Sequence, residues 1–146
     1  MADQLDLLKQ LQTIDGDLFR LRRQQQEKPR ELEQVNARFA AAQERVKTAE
    51  ERLRALQLSQ KEKELELQTR EANVKKLQGQ LFQVKTNKEY TAMQHEIDSL
   101  RADNSLLEET ILHTMDAIDQ AMNERQQEQQ RLKEDEERTR AERQRI

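Results

Sequence analysis

The two histidines, His95 and His113, are the side chains best suited to bind a metal or to act as a general base at neutral pH. Eighteen residues separate them, which is about five turns if both lie on one helix. The chain has no cysteine that could complete a metal site. Ser59, Ser99 and Ser105 have no neighbouring base in a catalytic arrangement, and no glycine-rich loop could bind a phosphate. The sequence therefore predicts no catalytic, cofactor-binding or metal-binding residue in this chain, and no enzyme.

A second group of distinctive residues lies between Val84 and Tyr90. The segment Thr86-Asn87-Lys88-Glu89 matches the capping box, in which the Thr hydroxyl accepts from the amide of Glu89. We expect Thr86 to be the N-cap of a helix. Polar and aromatic groups at an exposed chain reversal can also bind a partner. The candidate partner-binding residues are Lys85, Thr86, Asn87, Lys88, Glu89, Tyr90 and His95. In the alternative interpretation, Asn87 only turns the chain, Thr86 and Glu89 only cap the helix, and Tyr90 closes the apolar packing.

Composition indicates extended helices rather than a compact domain. Of the 146 residues 38% are charged and only 34% are hydrophobic, which is little material for a normal core. The net charge is −3, and the small basic cluster from Arg20 to Arg23 fits a solvated helix face, so we expect no direct nucleic-acid binding by this segment. Because there is no run of 18 apolar residues and no signal peptide at the N-terminus, we expect a cytoplasmic protein that does not enter a membrane.

The apolar residues recur at alternating steps of four and three, which is the pattern of a coiled coil. The first such stripe, here called the first seam, runs from Leu7 to Val84, and the second seam runs from Tyr90 to Ile146. If the chain reverses near residue 87, the two seams match as antiparallel partners whose residue numbers add to 174, for example Leu77 with Ile97. Each layer then joins an a position to a d position. The sequence predicts an all-α, antiparallel two-helix coiled-coil hairpin with its tip near 84–90.

Polar seam residues meet in the same alignment. Arg70 is placed opposite Asn104, and Gln60 opposite Thr114. Because a buried polar group needs a partner, we expect these matched layers to fix the register. Lys63 falls opposite Ile111, and we expect its ammonium to extend to water.

Pro29 predicts a kink or short break, because proline removes an amide donor and crowds the preceding turn. We expect helix from about 3 to 27 and again from 30 to about 84, with an N-terminal arm over 1–28 and the hairpin over 29–146. At the same alignment Lys28 meets Ile146, so the apolar stripe of the arm has no partner. Those self-association residues are Leu7, Leu11, Ile14, Leu18 and Leu21. Either the arm pairs with another copy in a homo-oligomer, or it folds back onto Leu112, Met115 and Met122, or the natural chain continues past 146 and covers it.

Three segments resemble a bacterial family that combines a coiled-coil hairpin with a C-terminal four-cysteine zinc ribbon. They begin at Leu7 (LLKQLQTID), at Val84 (VKTNKEYTAM) and at Leu107 (LEETIL). The resemblance implies a cytoplasmic adaptor or regulator linked to flagellar assembly, to the sigma factor sigma-54 or to type III secretion. It also implies a zinc ribbon beyond residue 146, which would hold the zinc, since this chain has no cysteine.

Two functions follow from these observations. The first is a non-enzymatic adaptor or scaffold that binds protein partners. The alternative is a nucleic-acid-associated regulator of flagellar or secretion gene expression that acts through the missing ribbon. Residues beyond Ile146 with a pair of C-x-x-C motifs would distinguish the family from other coiled coils.

Overall fold

The structure is a computed structural model that describes residues 2–145. It contains two α-helices, α1 (Ala2–Leu81) and α2 (Asn87–Arg145), and the described residues form no strand. Side-chain contacts join residues of α1 to residues of α2 in antiparallel order, from Lys63 with Thr114 to Arg52 with Glu124. The predicted all-α coiled-coil hairpin is therefore confirmed.

The chain divides into two compact units. One comprises Lys47–Glu128, with the chain reversal, and is here called the tip unit. The other comprises the residues up to Val46 together with those from Gln129 onward, and is here called the base unit. Each unit contains a segment of α1 and a segment of α2.

The tip unit is held together by the predicted seams. Leu53, Ile118 and Ala121 form a buried cluster, with Leu56 packed against it. Ile97, which is 1% exposed, is the most deeply buried large side chain among the described residues. The apolar residues of both seams in this unit are buried or half-buried from Ala49 to Val84 and from Met93 to Ala121. Two apolar positions in each heptad, a and d, are thus enough to form the interior of a helix pair.

In the base unit, pairing begins at Val35. Val35, Ala42 and Val46 are buried on α1, and Thr139 is buried on α2. Arg38 donates to Glu142 at 2.8 Å. The guanidinium of Arg143 lies 5.9 Å from the ring centre of Phe39, and its Nε donates to Asn36 Oδ1 at 3.0 Å.

The polar layers of the tip unit differ from the sequence-based expectation. Lys63 Nζ donates to Thr114 Oγ1 at 3.1 Å, rather than extending only to water, and Gln60 donates to Glu64 on its own helix. Arg70 pairs with Glu66 at 2.7 Å, also within α1. The reason is that a long side chain can reach the neighbouring turn of its own helix as easily as the opposite helix.

Because Arg70 pairs within its own helix, the side chain of Asn104 does not have the partner that its layer was expected to supply. Its side chain is 7% exposed, and Oδ1 is buried without a hydrogen-bond partner. The expectation that Arg70 is the hydrogen-bond partner of Asn104 is therefore wrong, because the guanidinium of Arg70 pairs with Glu66.

The ends of the helices also differ from the prediction. The expectation of a break in α1 near Pro29 is wrong, since α1 continues through that residue. A kink within the continuous helix, and the division into an arm over 1–28 and a hairpin over 29–146, stay predictions. The first helix ends at Leu81 rather than near 84. The predicted pairing of Lys28 with Ile146 involves a residue that lies outside the described part of the chain.

Candidate protein-interaction surfaces

The chain reversal is built from a short turn and a helix cap. The amide of Gln83 donates to the carbonyl of Gln80 at 2.9 Å, which closes the end of α1. The amide of Glu89 then donates to Thr86 Oγ1 at 3.2 Å, and the amide of Tyr90 donates to the carbonyl of Thr86 at 3.0 Å. The hydroxyl thus satisfies one of the amides that a helix start leaves unpaired. Thr86 is the N-cap that the capping-box pattern predicted.

The candidate partner-binding residues at this reversal are all exposed. Lys85 and Thr86 lie in the turn, and Asn87, Lys88, Glu89 and Tyr90 form the first turn of α2. Their role in binding stays a prediction. His95 lies further along α2 and is also exposed. The side chain of Tyr90 is 48% exposed, so about half of it is available to a partner rather than packed in the seam.

Phe82 is a surface residue that the sequence pattern did not single out. Its side chain is 88% exposed, the highest value among the exposed large hydrophobic residues of the described chain. It directly follows Leu81, the last residue of α1, and lies off the seam. A large apolar residue that is outside the heptad stripe and next to a predicted turn was the signal that could have identified it.

The charge around the reversal is slightly positive. Between residues 79 and 95 the sequence contains Lys85 and Lys88 and one carboxylate, that of Glu89. All three of these side chains are exposed. We use the name tip surface for Phe82, Lys85, Lys88 and Tyr90, which combine two exposed aromatic rings with two ammonium groups.

A second surface lies on the base unit, along the N-terminal part of α1. All described residues up to Gln34 are exposed. We use the name arm stripe for the five apolar seam residues up to residue 21, each of which is between 46% and 57% exposed: Leu7, Leu11, Ile14, Leu18 and Leu21. Leu5, Leu8 and Phe19 beside them are also exposed, and Phe19 was not recognised from the sequence. The described residues therefore leave a long apolar face uncovered.

The grooves of the structure offer little for small-molecule chemistry. The groove lined by Phe39, Thr139, Arg140 and Arg143 has a volume of about 360 Å³. Its cationic groups are already engaged, Arg140 by Glu136 at 3.8 Å and Arg143 by Asn36. Ligand pockets are usually enclosed and mainly apolar, and this groove is neither.

The residues present do not fit the zinc site that the resemblance implies for the longer family. Such ribbons bind zinc through cysteine thiolates, and the chain has no cysteine. Within residues 2–145 no group of three or more His, Cys, Asp or Glu side chains is placed to hold a metal ion. In the same part of the chain neither helix has the length of apolar sequence needed to cross a bilayer.

Comparison with known protein families agrees with this geometry. The model of a family described as "CT398-like coiled coil hairpin domain" matches residues 11–146, which is most of the chain. The chain belongs to this family. The family assignment supports the hairpin and says nothing of a zinc ribbon or of flagellar function. No curated protein and no solved structure matches the chain.

Membership of the hairpin family is consistent with a structural or protein-interaction role. The arm stripe lies partly outside the matched region, which starts at Leu11, whereas the tip surface lies entirely within it. The family match therefore bears on the tip surface in full and on the arm stripe only in part.

Proposed function

We propose that this chain is a non-enzymatic adaptor that binds a protein partner through the tip surface. The observation that carries the proposal is the 88% exposure of Phe82 beside the half-exposed ring of Tyr90. An exposed aromatic side chain has no stabilising role in the free hairpin, but it is the type of residue that contributes most to protein–protein binding.

The neighbouring charges indicate the chemistry of the partner. Lys85 and Lys88 are exposed on either side of the Thr86 cap. A complementary surface would have an apolar pocket for Phe82 surrounded by aspartate or glutamate side chains. Complementary charges of this kind increase the association rate and select against basic partners.

The rigidity of the tip supports the same function. The 3.2 Å cap bond from Glu89 to Thr86 fixes the first turn of α2, and buried Ile97 anchors that helix against α1 two turns further on. A preorganised surface loses less conformational entropy on binding than a flexible loop does.

Single-stranded nucleic acid is a poorer fit to this surface. Aromatic rings and lysines can bind bases and phosphates, but such sites normally line a groove that is positive over several nucleotides. Here Glu89 lies among the lysines, and the chain as a whole has a net charge of −3.

The family resemblance adds specific candidates to this general proposal. It supports a bacterial, cytoplasmic partner such as sigma-54 or a component of flagellar assembly or type III secretion. It also supports a longer protein in which a zinc ribbon, rather than the hairpin, would contact nucleic acid as part of a regulator.

Peptide selection on the purified chain tests the proposal. A random peptide library is selected against the wild-type chain and against Phe82→Ala. Peptides with several apolar residues that can pack around the Phe82 ring, flanked by acidic residues, are expected from the wild type, with at least about a tenfold loss of affinity for Phe82→Ala. Leu106→Ala is the matched control, because Leu106 is 62% exposed and lies away from the tip.

The possible outcomes separate the alternatives. Equal enrichment on the wild type and Phe82→Ala, or a loss of affinity on Leu106→Ala of the same size, would overturn the proposed site. Binding of an oligouridine probe that is lost in Phe82→Ala, with no peptide enrichment, would instead assign the tip surface to nucleic acid.

A further inference from the structure

The uncovered arm stripe has the same spacing as the paired seams elsewhere in the chain. Leu7, Leu11, Ile14, Leu18 and Leu21 follow the alternating four-and-three pattern without interruption. The helix that bears them is continuous with the paired part of α1. A continuous helix with an unpaired seam is a coiled-coil strand that lacks a partner.

A second copy of the same segment can supply that partner in antiparallel orientation. If the twofold axis passes near Gly16, Ile14 meets Leu18 of the partner copy and Leu11 meets Leu21 of the partner copy. Each of these layers joins an a position to a d position, as the layers of the hairpin do. The twofold axis repeats both contacts, so four successive layers are entirely apolar.

The charges along the arm favour the antiparallel orientation. Its first part contains Asp3, Asp6, Asp15 and Asp17 with Lys9 as the single cation, so it is acidic. Residues 20–30 contain five cations and one carboxylate: Arg20, Arg22, Arg23, Lys28, Arg30 and Glu27. Antiparallel copies place the acidic part of one arm beside the basic part of the other. A parallel pair would place like charges beside each other.

A contact already present in the base unit shows how close such flanking residues come. Val35 and Thr139 form a buried seam layer there, with numbers that add to 174. Asn36 and Arg143 lie at the e positions that flank this layer, and Arg143 Nε donates to Asn36 Oδ1 at 3.0 Å. The sum of their residue numbers is 179, which is five more than the sum for a seam pair. The same offset in the arm brings Asp15 next to Arg22 of the partner copy.

We infer that the arm stripe is a self-association surface, on which two copies of this chain pair as an antiparallel coiled coil centred near Gly16. Asp15 and Arg22 of opposite copies flank its core. The twofold axis makes each of these contacts occur twice. The inference concerns the base unit alone and does not depend on the proposed function of the tip surface.

The oligomeric state of the whole chain is the first test. Sedimentation equilibrium at tens of micromolar should give about twice the chain mass of 17.4 kDa. Leu11→Gln with Leu18→Gln should give a monomer with unchanged helicity by circular dichroism. Leu58→Gln with Leu65→Gln is the matched control, since these leucines have the same spacing and are 59% and 65% exposed. The control should remain a dimer.

A wild-type chain that is monomeric at this concentration would overturn the inference, and protection of the arm from proteolysis in that monomer would indicate a folded-back arm. Equal effects of the two double variants would also overturn it. If the Leu11→Gln, Leu18→Gln variant loses helicity, its monomeric state does not test the dimer. The charge-reversal variants of Asp15 and Arg22 then decide, because both residues lie outside the apolar stripe.

Charge reversal tests the orientation. Asp15→Arg and Arg22→Asp should each raise the dissociation constant of the dimer several-fold, and the two together should restore it. The dimer dissociation constants are measured at low ionic strength, where such pairs are least screened. In a parallel pair these two residues do not meet, so failure of the double reversal to restore the dimer would contradict the antiparallel arrangement.

Disulfide crosslinking gives the register, and the absence of native cysteine makes introduced thiols unique. A mixture of Ile14→Cys chains and Leu18→Cys chains should form mainly mixed dimers. Predominant Ile14→Cys homodimers would demonstrate parallel pairing and overturn the inference.

Discussion

Lys63 Nζ donates a 3.1 Å hydrogen bond to Thr114 Oγ1, from one helix of the tip unit to the other. Thr114 in turn donates to the carbonyl of Thr110 at 2.9 Å, so its hydroxyl both donates and accepts. Thr114 is buried and Lys63 half-buried. A polar contact in this environment costs little as long as both partners are present, and removing one leaves the other poorly solvated.

We therefore expect the effects of substitution at these two residues to be coupled. Thr114→Val should lower the free energy of unfolding by about 1 kcal/mol in the wild type, because Lys63 loses its acceptor. In a Lys63→Met background the same substitution should have almost no cost. Urea unfolding of the four variants gives the coupling free energy directly.

Additive effects would show that the contact does not contribute to stability. Thr110→Val is the matched control, since Thr110 is exposed and its hydroxyl donates to its own helix, at the carbonyl of Leu106. Its effect should be the same in the wild type and in the Lys63→Met background.

Asn104 leads to a prediction of opposite sign. Because Oδ1 is buried without a partner, Asn104→Leu should raise the free energy of unfolding by about 1 kcal/mol or more. Ser105→Leu, at the exposed neighbouring position, should change it by much less. A lowered melting temperature for Asn104→Leu would show that the amide is stabilising.

The same substitution should reduce the specificity of pairing, since a buried asparagine in a coiled coil favours one register. Cysteines at Leu77 and Ile97 form a reporter pair in the native register. Crosslinking of this pair should be complete in the wild type and accompanied by other registers in Asn104→Leu.

The extent to which the fold was predictable is clear from particular residues. The period of the helix determines which residues share a face, so the seam residues from Val35 to Leu81 and from Met93 to Ala121 could be identified from spacing alone. Thr86 could be identified because its cap depends on four consecutive residues. Local geometry and periodicity are enough for both.

The hydrogen-bond partners of long polar side chains are not determined by the spacing of residues in the sequence. Lys63 and Arg70 have long side chains with several polar groups in reach, and each found a partner other than the residue in its own layer. Phe82 lies directly after the seam residue Leu81, at a position that faces away from the seam whether or not the helix continues, and a search confined to seam residues did not consider it. Among the candidate binding residues, the sequence thus identified the lysines and Tyr90 but not the most exposed ring.

The buried cluster at Leu53 gives a prediction about core packing. Leu53 is 3% exposed and packs with Ile118 and Ala121. Leu53→Ala should lower the free energy of unfolding by about 2–5 kcal/mol, because it removes apolar contacts and leaves a cavity. Leu58→Ala is the control on the same helix, where the side chain is 59% exposed and the cost should be below about 1 kcal/mol. Similar effects in urea unfolding would contradict the seam assignment.

The cap at the reversal can be tested by local measurements. Thr86→Ala should cost about 1 kcal/mol, and Thr86→Ser should retain most of the stability, because serine also accepts from the amide of Glu89. Hydrogen exchange at the amides of Glu89 and Tyr90 should become faster in Thr86→Ala only. Thr91→Ala, five residues later in the chain, should leave both amides protected.

Pro29 allows a test of how the helix tolerates a missing amide. It lies inside α1, where proline costs on the order of 3 kcal/mol relative to alanine. The surrounding residues of α1 up to Gln34 are exposed, so this segment has little tertiary packing to offset the loss of a hydrogen bond. Pro29→Ala should therefore raise the free energy of local opening by about 1–3 kcal/mol and slow amide exchange over residues 25–33. Glu33→Ala, one turn further along the same exposed helix, should change exchange little. Unchanged protection in Pro29→Ala would mean that the helix already accommodates the proline without weakening, and the predicted kink would then have no energetic basis.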